Sequence, residues 1–342
     1  MPTISFKPKK ITKKITSHLA ARASDVIMNR FGLTEGGKRK TLEEIGTKYN
    51  ITRERVRQVE DAALSSIKKS DAYKAEQAVF DELKQLVRKL GSIVAEHELL
   101  PYVSKDKTTQ NHINFFLVLG DAFKKHREDE HFHTRWSIDS EMTDKIHDSL
   151  RKLYASLNDE DLITETEIIK KFFEQMKDVA EEYKNDEIGK RWLSMSKAVA
   201  KNPLGEWGKA SSPNIRTRGV KDYAFLVMRR HGSPMHFKEV ADAISKTFSK
   251  KIHYATCHNE LIKDARFVLV GRGMYALAEW GYKAGIAREV IRDILKREGP
   301  LSKDDVVERV MKERYFKKNT ILVNLVNPKY FKKNKNGLYA LV

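Results

Sequence analysis

Only one cysteine, Cys257, occurs in 342 residues. One thiol closes no disulfide within the chain and makes no cysteine-rich zinc site, so the fold must be held by packing, as in a reducing cytoplasm. Long apolar runs are also missing. No stretch approaches the ~20 residues needed to span a bilayer, and the start, MPTISFKPKKITKKITSHLA, is basic without the apolar core of a secretory signal. The expectation is a soluble cytoplasmic chain with no membrane partner. Catalytic constellations are equally scarce. His126, His131 and His133 cluster in HREDEHFHTRW with no cysteine beside them, so no metal is expected there. Cys257–His258 lacks a third partner and reads as ordinary packing. The tripeptide Gly271–Arg272–Gly273 is followed by no Lys-Ser/Thr and reads as a hairpin tip rather than a phosphate loop. Pairs such as Glu181–Glu182 and Asp304–Asp305 read as solvated charge. These gaps exclude the usual hydrolase, nuclease and nucleotide-binding patterns. They predict no catalytic residues, no cofactor and no small-molecule substrate.

What the chain has in excess is positive charge, a net +18. Residues 1–70 carry 16 Lys/Arg against 7 Asp/Glu, residues 71–200 carry 20 against 26, and residues 201–342 carry 29 against 14. Two basic ends flank an acidic centre. Basic surface concentrates polyanions and gains from counterion release, which makes nucleic acid the leading partner class. The acidic centre is expected to space the ends or dock protein.

At the basic N-terminal end, helical periodicity begins near Leu19 and runs to Phe31, where Gly32 stops it. A polar loop follows, Thr34–Lys40 (TEGGKRK). Thr41 and Glu44 then form a capping box for a short helix with an apolar stripe of Leu42, Ile45 and Tyr49. Asn50 and Ile51 make a tight turn, and Thr52 caps the next helix, which runs to Lys69. In that helix Val56, Val59, Ala63 and Ile67 form a buried stripe, while Arg53, Glu54, Arg57 and Gln58 gather on the opposite side at its N-terminal end. A recognition helix needs this division, because its first turns enter the major groove while its back packs on the preceding helix. Arg and Gln carry forked donors that match base edges, and Glu can accept from a cytosine amino group.

The segment RFGL–TLEEIG–ITRERVRQVEDAAL, from about Met28 to Lys69, resembles the C-terminal conserved region (region 4) of primary sigma factors, which reads the upstream promoter element. The resemblance implies that Arg53, Glu54, Arg57 and Gln58 contact bases or adjacent phosphates. It places Arg55 on the DNA backbone, with Thr41, Leu42 and Thr52 at helix ends that meet phosphate. It also implies double-stranded, promoter-like DNA as partner and RNA polymerase core as a second one, through the flap of the beta subunit. The aromatic-rich region with which a sigma factor melts promoter DNA has no room before residue 28, so a self-sufficient sigma factor is not expected.

The basic C-terminal end repeats itself. Residues 256–277 and 320–341 share Thr256/Thr320, Leu261/Leu325, Phe267/Phe331, Gly273/Gly337, Tyr275/Tyr339, Ala276/Ala340 and Leu277/Leu341 at an offset of 64. Upstream, residues 219–244 parallel residues 285–310. Each unit reads helix, Gly-(Ser)-Pro turn, helix, third helix and hairpin, the order of a winged helix. LGEWG (204–208) echoes LAEWG (277–281), so Trp207 is read as closing an earlier wing as Trp280 closes this one. Residues 94–136 and 146–207 are candidates for one or two further, diverged units.

Residues 219–282, through HGSPMHFKEVADAI and HNELIKDARFVLVGRGMYAL, resemble the HARE-type helix-turn-helix, a winged helix shared with the delta subunit of bacterial RNA polymerase. That family uses the fold for DNA contact and for protein contact. Lys246, Lys250, Lys251, His253, Arg266 and Arg272 are expected around the third helix and wing, and Lys317, Lys318, Lys332, Lys333 and Lys335 at the equivalent places in the last unit. Such lysines hold phosphates without specifying sequence. The expected architecture is a mostly α chain of tandem helix-turn-helix and winged-helix domains with short β-hairpin wings. Its parts are residues 1–70, a sigma-like helix-turn-helix; 71–200, an acidic helical middle; 201–218, a linker or wing; 219–282, a HARE-type winged helix; and 283–342, its repeat. The expected function is sequence-specific, nucleoid-associated DNA binding at promoters, as a transcription regulator or sigma-like polymerase-associated factor. Two alternatives are an RNA polymerase-docking protein with incidental DNA binding and an accessory to a DNA-processing enzyme.

Overall fold

The computed structural model describes residues 4–176, 181–282, 287–314 and 316–342. The expected boundary at 282/283, and Gly285 at the start of the second repeat copy, touch residues 283–286, outside the described residues. Among the described residues the chain is mostly α, with seventeen α-helices and ten short strands in antiparallel sheets of two or three. It forms two compact units, residues 1–200 with 206–211, and residues 201–205 with 212–342.

The first unit opens with a helix the periodicity did not reveal, α1 (Pro8–Thr16), whose proline occupies a first-turn position where no N–H is needed. Then come α2 (Ala21–Phe31), α3 (Leu42–Tyr49), α4 (Arg53–Lys69) and the single turn α5 (Asp71–Lys74). Val26, Ile45 and Val56 are fully buried between α2, α3 and α4, with Leu42, Tyr49, Ile51 and Val59 packed around them. The turn between α3 and α4 is tight for two reasons. Asn50 takes a left-handed φ of 49°, and a Cβ on Gly46 would lie 2.6 Å from the Ile51 carbonyl oxygen.

The rest of this unit runs α6 (Gln77–Lys89), β1 (Ile93–Ala95), α7 (Glu96–Val103), α8 (Lys107–Leu119), β2 (Lys124–His126) and β3 (Arg135–Ser137), with β3 in the middle of the sheet. The same order recurs in α9 (Ser140–Ser156), a bridging residue Ile163, α10 (Glu165–Glu174), α11 (Asp186–Ser194), β4 (Val199–Lys201) and β5 (Trp207–Lys209). The second unit holds two more copies. One is α12 (Val220–His231), β6 (Met235–His236), α13 (Phe237–Phe248), α14 (Tyr254–Lys263), β7 (Phe267–Gly271) and β8 (Met274–Leu277). The other is α15 (Ala287–Glu298), a bridging Leu301, α16 (Lys303–Glu313), α17 (Lys318–Leu325), β9 (Phe331–Lys333) and β10 (Tyr339–Leu341).

Helix, strand, helix, helix, strand, strand is thus a winged-helix pattern present four times. One side-chain pair marks all four. An aromatic residue on the last strand faces an aliphatic one on the first: Trp136 opposite Val94, Trp207 opposite Ile163, Tyr275 opposite Met235, and Tyr339 opposite Leu301. This register corrects the likeness of Trp207 to Trp280. Trp207 is a strand residue equivalent to Tyr275, whereas Trp280 lies in the short helical turn after β8. The first strand of each copy is one to three residues long, too short to leave a period-two pattern.

The helix-turn-helix and the first winged helix share one core. Ile15, Ile27 and Ile67 from the former pack in the same cluster as Leu83, Ile113, Phe115, Phe116 and Trp136 from the latter. Each such side chain contributes roughly 1.5–3 kcal/mol relative to exposure.

Candidate nucleic-acid interface

The four expected base-reading residues lie together. On α4, Val56, Ala63 and Ile67 are buried while Arg53, Glu54, Arg55, Arg57 and Gln58 are exposed. The helix begins where the sequence demands, since the Thr52 hydroxyl accepts from the Arg55 N–H at 3.2 Å. The preceding helix carries both halves of its capping box: Glu44 N–H donates to Thr41 Oγ1 at 3.1 Å, and Thr41 N–H donates to Glu44 Oε2 at 2.6 Å. Leu42, expected at the phosphate-facing end of this helix, is half-buried against the Ile45 cluster.

The exposed face is organised internally. Arg57 donates from Nη2 to Glu54 Oε1 at 2.7 Å and from Nε to Glu54 Oε2 at 3.0 Å, and its Nη1 reaches Asp61 at 2.8 Å. Arg55 Nη1 donates to Gln58 Oε1 at 3.0 Å. The Arg57 hydrogen bond holds the Glu54 carboxyl below its ordinary range. A guanidinium held at both ends by carboxylates is oriented before any ligand arrives, and one of its partners must yield if it is to fork onto a base. Such exposed pairs cost little to exchange, because surface ion pairs are worth about 0–1 kcal/mol.

The third helices of the four winged helices differ from α4 and from one another. In α8 the run from Gln110 to Leu117 is buried throughout, so no face is left for a groove. Its polar residues instead hold the helix-turn-helix. Asn111 Nδ2 donates to the carbonyls of Gly32 (3.0 Å) and Gly37 (2.7 Å), and its Oδ1 accepts from Arg39 Nε at 3.0 Å. The Thr12 hydroxyl meets His112 Nδ1 at 2.7 Å. In α11 the first turn carries Asp186 and Glu187, which repel phosphate. In α14 and α17 the outward faces include the exposed apolar residues Ile262, Val323 and Val326.

The basic residues expected around the last two wings divide as follows. Lys246 sits in the last turn of α13, Lys250, Lys251 and His253 lie on the approach to α14, and Arg272 sits at the tip of the β7–β8 hairpin; all are exposed. Lys250 Nζ donates to the Tyr223 hydroxyl at 2.7 Å and lies over that ring. Lys317 and Lys318 begin α17, and Lys332, Lys333 and Lys335 lie along the last hairpin, exposed. Arg266 does not belong with them. Its guanidinium is tied to Asp264 at 2.8 Å and to the buried Asp222 at 2.9 Å, and this pairing takes the Asp264 pKa down to about 2. Asp222 lies 44 residues upstream, so composition displayed the charge and hid the partner.

The residues set aside for chemistry also have structural surroundings. Cys257 is fully buried, and desolvation pushes its thiol up to about 12, which keeps it protonated. His126 meets Ser137 Oγ at 2.9 Å, His131 lies against Phe132, and His133 lies edge-on to His97, so the three expected neighbours diverge. Among the described residues, no group of three or more His, Cys, Asp or Glu side chains could hold a metal ion. No described helix is long and apolar enough to cross a membrane.

Two segments match known families. Residues 17–69 match Sigma-70, region 4, and residues 218–280 match HARE-HTH, the ASXL and restriction endonuclease HTH domain. The first segment is similar to curated sigma factors. It is 46% identical over 56 residues to RNA polymerase sigma factor SigA of Nostoc sp., and 48% identical over 54 residues to SigA1 of Synechococcus elongatus. It is 43% identical over 56 residues to RpoD of Helicobacter pylori. Each match covers 16% of this chain and 14%, 13% and 8% of the respective relative. The likeness is therefore one of a module.

Proposed function

We propose that this chain is a DNA-binding protein of transcription that reads a duplex, promoter-like sequence through α4. The observation that carries this reading is the placement of Arg53, Glu54, Arg57 and Gln58 on one exposed face at the start of a helix whose back is buried. The family matches at 17–69 and 218–280 support it. In this reading Arg57 exchanges Glu54 or Asp61 for a base edge, Gln58 is released from Arg55, and Arg55 turns to phosphate. The N-terminal ends of α3 and α4, at Thr41, Leu42 and Thr52, lie along the backbone. Lys250, Lys251, Arg272, Lys317, Lys318, Lys332 and Lys333 add affinity without sequence preference. The five sequence modules delimited above act as its working parts.

Replacing Arg57 with Ala is expected to cost roughly 1–3 kcal/mol on the preferred site and to relax one position of specificity. Equal weakening on every sequence would make Arg57 a phosphate contact instead.

A second reading, docking on RNA polymerase core, is favoured by Ile262, Val323 and Val326. Apolar side chains on the outer faces of α14 and α17 suit a protein partner better than a phosphate backbone. A salt titration separates the two readings for the C-terminal half. Several phosphate contacts require a steep fall of log affinity with log salt, whereas a nearly flat line assigns these wings to protein.

A further inference from the structure

We propose that the cleft between the two winged helices of the second unit is a binding site for a small organic anion with a flat apolar body, the chemistry of a nucleoside monophosphate or an aromatic carboxylate. The cleft has a volume of about 1380 Å³. It lies between the β6–β8–β7 wing of one copy and the start of α17 in the next.

Three features give it an anionic preference. Arg314 is 5% exposed on the cleft wall, and its Nη2 and Nε donate to the carbonyls of Leu269 (2.6 Å) and Val270 (3.3 Å). Its Nη1 is buried with no hydrogen-bond partner, a costly condition for a cationic donor. Burial accordingly pulls the Arg314 pKa below its ordinary value. The N-terminus of α17, which enters the cleft at Lys317 and Thr320, has no side-chain cap, so its first amides and the positive end of its dipole remain available. The cleft also holds His231, His236, Arg272 and Lys317 against one carboxylate, Glu239, which is already occupied by the His236 N–H at 2.9 Å.

The apolar walls set the other half of the ligand. Met235, Leu269, Met274 and Phe316 line the recess, and Leu269 is 45% exposed there. A duplex is a poor occupant, because its phosphates ride on a rigid rod and cannot follow a side chain as recessed as Arg314. Among the described residues lining the cleft there is no carboxylate pair and no thiol, so the bound molecule is an effector. Since the cleft walls belong to two winged helices, occupancy would fix their mutual setting.

The test is calorimetric titration of the full chain with adenosine, guanosine, cytidine and uridine monophosphates, and separately with benzoate and indole-3-acetate. Saturable binding by at least one probe with a dissociation constant below about 1 mM is expected. Arg314→Gln should weaken it at least about tenfold. Leu269→Trp, which fills the recess from an exposed position and removes no charge, should do the same. If Arg314→Gln fails to fold, Leu269→Trp still decides. The two probe groups distinguish a nucleotide from an aromatic acid. No saturable binding by any probe, or binding unchanged in Leu269→Trp, would overturn the proposal, whatever the behaviour of α4 toward DNA.

Discussion

Helices α4 and α8 are both the last helix of a helix-turn-helix, and both pack on the same hydrophobic core, yet they have opposite fates. α4 keeps a polar face outward for its first two turns. α8 is buried from Gln110 to Leu117, and its Asn111 and His112 serve the neighbouring module as hydrogen-bond partners. The lesson is that a winged-helix fold leaves open what its third helix does. Here the first winged helix gives up its own groove-facing surface and becomes the support that holds the α2–α3 loop, and thus α3 and α4, in place.

The largest expected effect tests that support. Phe116→Ala should destabilise the first unit by about 3–5 kcal/mol, because it empties a fully buried site where α8 packs on the helix-turn-helix core. Chemical denaturation followed by helix content and by aromatic fluorescence should show the two modules unfolding together. Early loss of the winged helix alone, with α4 intact, would break the comparison.

Acid should distinguish buried from exposed polar groups in the same unit. His147 accepts from Arg135 Nε at 2.8 Å and stacks on Phe132, with His126, Arg151 and Asp129 also facing it. Burial foremost, with Arg135 adding to it, lowers its pKa to about 4. The folded state therefore binds the proton less readily than the unfolded chain. The stability this confers is complete above the unfolded value of 6.5 and is lost as pH falls toward 4, about 3 kcal/mol in all. Thermal unfolding across this window should flatten in His147→Gln relative to the parent. An unchanged pH dependence would show that His147 does not carry it. The Glu54–Arg57 pair on α4 is wholly exposed and should leave no mark on that profile.

A smaller effect is expected at Asn111. Removing its amide in Asn111→Ala strands the Gly32 and Gly37 carbonyls and should cost about 1–3 kcal/mol. Hydrogen exchange should speed in residues 32–40 while α6 stays protected. Uniform acceleration throughout the unit would make Asn111 a general packing residue rather than a strut for the α3–α4 pair.

α4 was legible in the sequence because its determinants are local: the Thr41–Glu44 box, the Asn50 turn, the Thr52 cap and a 3/4 stripe follow one another directly along the chain. The burial of α8 was not, since KTTQNHINFFLVL runs through polar residues and a histidine from Thr108 to His112, and what meets Asn111 and His112 comes from residues 72 to 100 positions away. Arg266 was misread for the same reason, its buried partner being remote in sequence. Four-fold repetition was only half visible. The two C-terminal copies retain aligned identities. The two N-terminal ones share only the strand register, in which Trp136 and Trp207 stand where Tyr275 and Tyr339 stand later, and a register formed by such short strands is set by tertiary packing.

Selection of duplex DNA from a randomised pool tests most directly whether α4 reads sequence. The full chain is predicted to enrich one short motif, and the double variant Arg57→Ala/Gln58→Ala, folded as well as the parent, is predicted to lose it. A pool that stays random with the parent chain, or a motif that survives unchanged in the double variant, would contradict the account.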